Sequence, residues 1–448
     1  MTGRLKIFLF FYQIAWSFGL PFLLLYFLCR SYRDPDYRRN LKERFGFGQS
    51  FEANVWVHTV SIGELRAVEP LLRSLLTKNE TVIVTCITPA GRRYGNQMFS
   101  KEIEKSQISF QFAPLEFFGA YNRFFKHSKP TLGLIVEQEI WPIMIGSAYI
   151  KSIPIYLINS QMTNSGMKKV KWLAMIFGHC CSLATGVLAK SEASAKNFLA
   201  LGAKNISVVG ELRFDQFIPM SHTDAALSFR KSANLFNRPT FVICSMTSDE
   251  EDIYIKSLVD VKEKLFKLGV SAPLFILVPR AIERFDKVLK KLGRAGLRSV
   301  IRSEAFSKDL VSLKEIDWDE MDVLLGDSFG EMFFYMGLAE TAIVGGGFNP
   351  SGAHNIIEPL MLDLNTLVGP HIWTILFPVR EAEAAGLVTV VADQPSLVSE
   401  MLKTYNSDFI LDKRDRFFAI YSGATQKTLN ILFEQGRLKI LKNETIRK

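Results

Sequence analysis

The sequence predicts an α/β chain with two doubly wound, largely parallel sheets behind one apolar helix, and three observations carry that expectation. From Asn54 onward, short β-branched runs at 55–58, 81–88, 132–136, 153–158, 186–189 and 206–210 alternate with helix-compatible stretches or turns, the rhythm of parallel βαβ units. The rhythm restarts at 241–245 and continues through 274–278, 299–301, 323–326, 341–345, 366–369 and 387–391. Residues 7–29, in contrast, carry no charge at all.

Composition bounds the rest. At 448 residues the chain suits two or three domains, and 48% hydrophobic against 22% charged residues excludes a disordered chain or a low-complexity array. No repeat of 20–50 residues is present, which sets solenoids and propellers aside. The predicted boundaries are an anchor at 1–30, an amino-terminal domain at 31–212, a linker at 213–239 and a carboxyl-terminal domain at 240–448. The linker rests on mixed charge, Pro219 and the lack of a strand pattern. Two facing sheets would place a central cleft beyond the carboxyl ends of their strands, where α/β folds bind ligands.

The apolar stretch would span about 34 Å as a helix, enough to cross a bilayer. It exceeds the usual core of a cleavable signal and ends in Cys29-Arg30-Ser31-Tyr32-Arg33, with no small-x-small pattern. Arg30, Arg33, Arg38, Arg39, Lys42 and Arg44 follow it, against Arg4 and Lys6 before it, so the positive-inside bias keeps the large domains in the cytoplasm. Pro21 and the aromatic content leave open a bent helix lying in the interface.

Three places are suited to chemistry. In His58-Thr59-Val60-Ser61-Ile62-Gly63-Glu64, directly after the first strand, Gly63 suits a tight turn and Glu64 falls near a helix start. Glu64 is either a first-turn carboxylate favoured by the helix dipole or a general base facing the cleft. In Glu137-Gln138-Glu139-Ile140-Trp141-Pro142, two carboxylates in an extended segment point the same way, suited to orienting a polyhydroxy acceptor, to tuning a neighbouring pKa by like-charge repulsion, or to a solvated strand end. In the second domain, Pro279-Arg280, Gly326-Asp327-Ser328-Phe329-Gly330-Glu331 and Gly345-Gly346-Gly347 leading to His354-Asn355-Ile356-Ile357-Glu358 each follow a strand. Glycine-rich turns entering helices suit phosphate, Glu358 suits a ribose diol and Arg280 a phosphate charge, so a nucleotide site is expected. No GxxxxGK[ST] is present.

Cys29, Cys86, Cys180, Cys181 and Cys244 show no ligand spacing, so no structural zinc is expected, and Cys180-Cys181 read as reduced packing residues. His127, His179, His222 and His371 are scattered. The stretches Arg123-Phe124-Phe125-Lys126-His127 and Lys168-Lys169-Val170-Lys171-Trp172 lack any nucleic-acid motif and, beside an anchor, suggest a surface for anionic lipid head groups.

In this order the motifs resemble those of the 3-deoxy-D-manno-octulosonic acid (Kdo) transferases of lipopolysaccharide synthesis, which are inverting two-domain glycosyltransferases of the GT-B type. The likeness runs from Arg39-Asn40-Leu41-Lys42-Glu43-Arg44-Phe45-Gly46 to Gly369-Pro370-His371, through the Glu64 and Glu139 motifs, Leu201-Gly202-Ala203-Lys204, Val278-Pro279-Arg280 and His354-Asn355 with Glu358. The resemblance implies that the first domain binds a lipid A precursor (lipid IVA) as acceptor and the second CMP-Kdo as donor. Glu64 would take the proton of the attacking hydroxyl, and the CMP contacts would fall on Pro279, Arg280, Phe329, Gly330, Glu331, Asn355, Ile356, Ile357 and Glu358. Ser61, Gly63, Glu139, Arg213 and His354 are further candidates for acceptor or donor sugar. No cofactor and no metal is expected at the transfer step, no nucleic acid is an expected partner, and the expected place is the inner membrane with the catalytic domains on its cytoplasmic side.

The chain departs from that pattern at Gln161, where Arg is expected, at Arg213 for Lys, at Met246 and Ser248 in a Ser-Thr-His run, at Ala353 for Gly and at Thr374 for Asn. Losing a guanidinium and an imidazole weakens the expected hold on donor carboxylate or phosphate more than it affects the base.

Overall fold

A computed structural model describes residues 3–32, 34–163, 166–167, 174–313, 316–404 and 411–438. The chain forms two compact units, residues 1–216 with 421–448, and 217–420.

The first unit holds seven parallel strands, β1 (Val55–Thr59), β2 (Val82–Cys86), β3 (Ile108–Phe112), β4 (Leu132–Val136), β5 (Ile155–Ser160), β6 (Gly186–Ala189) and β7 (Ile206–Val208), in the order β3-β2-β1-β4-β5-β6-β7. Helices cover both faces, which is why most strands read as unbroken apolar runs rather than alternating ones. Along β1, Val55 and Val57 join the core under the helix Ile62–Thr77, whereas Trp56 enters the opposite core among Tyr121, Phe124 and Phe125. The sequence reading passed over β3, whose Ser109 and Gln111 break its apolar run; Gln111 is nevertheless buried, its amide donating to the Gln49 carbonyl at 2.7 Å.

The second unit repeats the plan with β8 (Thr240–Met246), β9 (Leu274–Pro279), β10 (Ser299–Ile301), β11 (Val323–Leu325), β12 (Thr341–Val344), β13 (Asn365–Val368) and β14 (Val388–Val390), ordered β10-β11-β9-β8-β12-β13-β14. In each unit the first strand lies inside the sheet: the first unit winds outward through β2 to β3 before crossing to β4, and the second passes from β9 to the edge strand β10, steps back to β11 and then crosses to β12. The switch points therefore lie beside the carboxyl ends of β1 with β4 and of β8 with β12, where a doubly wound sheet opens a crevice for a ligand.

Two boundaries differ from the sequence expectation. The carboxyl-terminal stretch assigned to the second domain returns to the first: in the helix Ala424–Glu434, Ala424, Leu429 and Leu432 join the core of β1 and β2. Asp215 fastens this return by accepting the N–H groups of Gly423 and Thr425, each at 2.6 Å. The expected linker is largely ordered, because the helix Met220–Ser232 turns Ala226 and Phe229 into the second unit's core.

The amino-terminal helix Gly3–Ser31 lies along the first unit. Leu5 and Leu9 enter the core containing Trp56 and Ile143, and near its other end Phe27 is buried under the Arg44 guanidinium, 4.6 Å from the ring centroid. Arg44 also stacks on Phe112 at 4.2 Å, and the neighbouring Glu43 accepts the Phe112 N–H at 2.8 Å. The Arg39–Gly46 motif thus clasps helix to sheet. Ile7, Phe10, Phe11, Phe18, Phe22 and Leu25 remain exposed on the outer face.

Candidate functional site

At the end of β1 the chain turns through Val60 and Ser61 into the helix Ile62–Thr77, with Ser61 in the N-cap position and Glu64 in the first turn. The Glu64 carboxylate reaches back, Oε2 accepting the Val60 N–H at 2.6 Å. Burial pushes its pKa up to about 7; Val60 N–H and Arg213 work against the rise, and Glu137 and Glu139 add to it. Gly63 does not serve a turn, since it lies inside the helix with only Ser61 Oγ, at 3.8 Å, near the place of a Cβ. It leaves space beside Glu64.

The two acids after β4 do not share a direction. Glu137 adopts φ +62° instead of extended backbone. Its Oε1 receives Lys190 Nζ at 2.6 Å and Asn159 Nδ2 at 3.1 Å. Glu139 instead accepts the Trp141 indole N–H at 2.5 Å, and burial raises its carboxyl above the usual range.

Behind Glu137 lies a charged cluster of which the sequence pointed to Glu137 and Arg213 but not to Lys190 or Glu211. Lys190 and Glu211 are both buried and meet at 2.8 Å, Glu211 accepts Asn159 Nδ2 at 2.9 Å, and Arg213 reaches Glu211 at 3.3 Å and Glu137 at 3.5 Å. Burial alone would raise the Glu211 carboxyl, but Lys190 and Arg213 together hold it below the usual range. Arg213 is therefore committed to two acids. Gln161 is buried beside this cluster, its carbonyl accepting from the Gln138 amide.

In the second unit Arg280 follows β9 and meets His354, from the loop after β12, across the end of β8: its Nη1 lies 2.9 Å from Nε2 and 3.2 Å from Nδ1. Burial and the guanidinium lower the imidazole to about 4, so His354 is neutral at pH 7. Asn355 Oδ1 accepts the Ile357 N–H at 2.9 Å. The Ile356 and Ile357 side chains are buried in the interior, which leaves only their backbone for a ligand. Pro279 closes β9 and is buried; after β11, Phe329 is exposed, Gly330 takes φ +88°, and Glu331 is bound by Arg302 at 2.6 Å and by the Ser328 hydroxyl.

The glycine-rich turn is not the anion site the sequence suggested. Buried Glu250 accepts the N–H groups of Gly346 at 2.7 Å and Phe348 at 2.9 Å. The glycines answer to packing: a Cβ at 345 would lie 2.5 Å from the Ser245 carbonyl oxygen, and one at 347 would lie 2.4 Å from Gly369 N. No signal in Asp249-Glu250-Glu251 separates Glu250, which turns to the loop, from Glu251, which is equally buried and pairs with Arg284 and Lys291.

Of the basic-aromatic stretches, only the first falls on described residues, and its aromatic members face inward. Phe124 and Phe125 are core residues packed on Trp56, and residues 168–172 lie outside the described residues. All five cysteines are free, Cys180 and Cys181 buried. Among the described residues no group of three or more His, Cys, Asp or Glu is placed to hold a metal ion.

Two doubly wound sheets, each with its polar residues gathered at the switch point, define a GT-B-like chain of two Rossmann-like units. The same fold is present in the crystal structure of UDP-GlcNAc 2-epimerase from Neisseria meningitidis, which matches 85% of this chain and 99% of its own with TM-score 0.53 at 13% identity. The family model described as 3-deoxy-D-manno-octulosonic-acid transferase (kdotransferase) matches residues 39–216. The 3-deoxy-D-manno-octulosonic acid transferase of Bordetella pertussis is 30% identical over 384 residues, 85% of this chain and 87% of that protein, and the Haemophilus influenzae transferase of the same name is 26% identical over 380 residues, 82% and 83% of the two chains. The chain belongs to this family of glycosyltransferases.

Proposed function

We propose that the protein transfers Kdo from CMP-Kdo to a lipid A precursor, lipid IVA, with inversion at the anomeric carbon and Glu64 as the general base. The observation that carries the assignment of the base is the position of Glu64: a partly buried carboxylate at the carboxyl end of the central strand, with a pKa raised to about 7. Near that value a carboxylate is still ionised at working pH yet basic enough to take a proton from an attacking hydroxyl. Its Oε2 is held by the Val60 N–H, and Oε1 has no protein donor among the described residues.

In this reading the acceptor sugar is oriented by Glu139 and the turn to Trp141, and Ser61 lines the approach. The second unit takes the donor. Arg280, steadied by neutral His354, neutralises the phosphate of CMP, the exposed Phe329 ring and the Gly330 turn receive the base, and Glu358 with the Asn355–Ile357 backbone holds the ribose. CMP then departs with its charge compensated by the chain itself, without a metal.

The amino-terminal helix engages the inner membrane by its outer face, with the enzyme on the cytoplasmic side. Leu5 and Phe27, near its two ends, are both buried against the first unit while Phe18 and Phe22 face outward, which favours a helix lying in the interface over one spanning the bilayer.

The test is product analysis by mass spectrometry after incubating the detergent-purified protein with CMP-Kdo and tetraacylated lipid IVA. Added Kdo that disappears in Glu64→Gln supports the reading. Unchanged acceptor with CMP-Kdo still bound would overturn the acceptor assignment.

A further inference from the structure

The loop before the helix Phe118–Ser128 carries a carboxylate that the mechanism does not use. Glu116 is buried, and its two oxygens accept the N–H groups of Ile143 at 2.8 Å and Met144 at 3.0 Å. Those are the free donors in the first turn of the helix Pro142–Ile150, which begins directly after Glu139-Ile140-Trp141. The same residue is gripped from the amino-terminal helix. Tyr12 works against the burial that raises the Glu116 carboxyl, and Gln13 Nε2 donates to the Glu116 carbonyl at 2.7 Å. Gln13 Oε1 accepts the Phe118 N–H at 3.2 Å, and Trp16 packs edge-on against Phe117 with ring centroids 6.2 Å apart. Burial first, and then the charges of Glu116, Tyr12 and Glu139, push the Tyr121 hydroxyl well above its usual range.

We propose that Glu116 is a positioning residue for the acceptor, through which the amino-terminal helix, by Tyr12 and Gln13, holds the Glu139–Trp141 turn in place. The inference rests on the reading of that turn as the acceptor's contact. It gives the helix a second role, carried by its inner face and separate from its outer apolar face: seating Gln13 on the 116–118 loop also sets the acceptor site. The chain of contacts is short and continuous, from Gln13 to the 116–118 backbone, from the Glu116 carboxylate to the first turn at 143–144, and from that turn to Trp141 and its bond with Glu139.

The test uses the full chain in detergent micelles and compares Glu116→Gln, Gln13→Ala and, as a control for lipid contact alone, Phe18→Asp. An amide at 116 presents one oxygen and one donor to two N–H groups, so one of them loses its acceptor. Glu116→Gln and Gln13→Ala are expected to raise the KM for lipid IVA roughly tenfold, as small misplacements of a binding group do, with the KM for CMP-Kdo and kcat within about twofold. Hydrogen exchange at the Ile143 and Met144 amides is expected to accelerate in both variants and to stay at the wild-type rate in Phe18→Asp. Wild-type exchange at 143–144 in Gln13→Ala would overturn the coupling. So would an equal rise of both KM values with a lowered Tm, which a merely structural residue would produce. The exchange arm needs no acceptor, so a wild-type chain inactive toward lipid IVA would sink the reading of function and leave this inference still testable.

Discussion

Glu250 Oε2 accepts the Gly346 N–H at 2.7 Å, so the turn that resembles a phosphate cradle in the sequence already holds an anion of the chain's own. With Phe348 N–H at 2.9 Å and the Thr247 N–H and hydroxyl at 3.1 and 2.8 Å, the carboxylate ties the end of β8 to the loop after β12. His354 hangs from the same loop, its N–H donating to the Gly345 carbonyl at 3.1 Å.

Replacing Glu250 by Gln turns an NH2 toward donors that need acceptors. A buried donor left without a partner costs about 1–3 kcal/mol, so the melting temperature of the second unit should fall. CMP should bind more weakly as the Arg280–His354 pair loses its support. Thermal denaturation with calorimetric titration of CMP checks both, and wild-type affinity in Glu250→Gln would show that the loop holds its shape without the carboxylate.

Glu64→Gln should lower kcat by roughly 10²–10⁴, the usual cost of a lost general base, with CMP-Kdo binding unchanged. A base must be deprotonated to act and the Glu64 pKa is raised to about 7. In the wild type, kcat/KM should therefore rise about tenfold per pH unit below 7 and level off above it. A profile flat from pH 5 to 8 would assign the proton transfer to another group.

Lys190 stands between two acids, 2.6 Å from Glu137 and 2.8 Å from Glu211. Lys190→Met leaves both carboxylates short of their cation in a buried place, and breaking a buried pair from one side costs about 3–5 kcal/mol. The double variant Lys190→Met with Glu211→Gln should regain part of that loss. Urea denaturation of the wild type, the two single variants and the double variant measures the coupling, and additive effects of the two changes would contradict it.

Glu116 and Glu64 both have carboxyl groups raised to about 7, each chiefly by burial. In the pH window from about 4.5 to 7 the folded chain then holds protons that the unfolded chain has released, so their contribution to stability is full below that window and declines as pH rises through it. Melting temperatures across pH 4.5–8 should show this decline, and Glu116→Gln should flatten it. An unaltered slope in that variant would remove Glu116 from the titration.

The alternation of apolar runs and helical stretches made both sheets legible, because a strand covered on both faces must be apolar along its length. β3 escaped because Gln111 is buried by a hydrogen bond to Gln49, which no local pattern announces. Glu64 stood out by its place after a strand and before a helix. Glu116, Lys190 and Glu250 did not, since their partners lie far along the chain: Lys190 meets Glu137 and Glu250 meets Gly346 through the topology of the sheets. The glycines of 345–347 misled for the same reason, as close backbone neighbours such as Gly369 are visible only once the strands are side by side.

The outer face of the amino-terminal helix gives the remaining prediction. Phe18 and Phe22 are each 75% exposed, whereas Leu9, on the inner face, is 1% exposed. One helix thus presents apolar groups to two different surroundings, and substitutions should separate them. Burying a Phe side chain in an apolar medium contributes about 1.5–3 kcal/mol, so Phe18→Asp and Phe22→Asp should each weaken partition onto anionic vesicles about tenfold or more, with the melting temperature unchanged. Leu9→Asp places a charge in the core of the first unit and should destabilise folding outright, by several kcal/mol. Vesicle sedimentation beside thermal denaturation distinguishes the two faces. If the Phe variants melted early and still bound vesicles, the outer face would belong to the protein interior rather than the lipid.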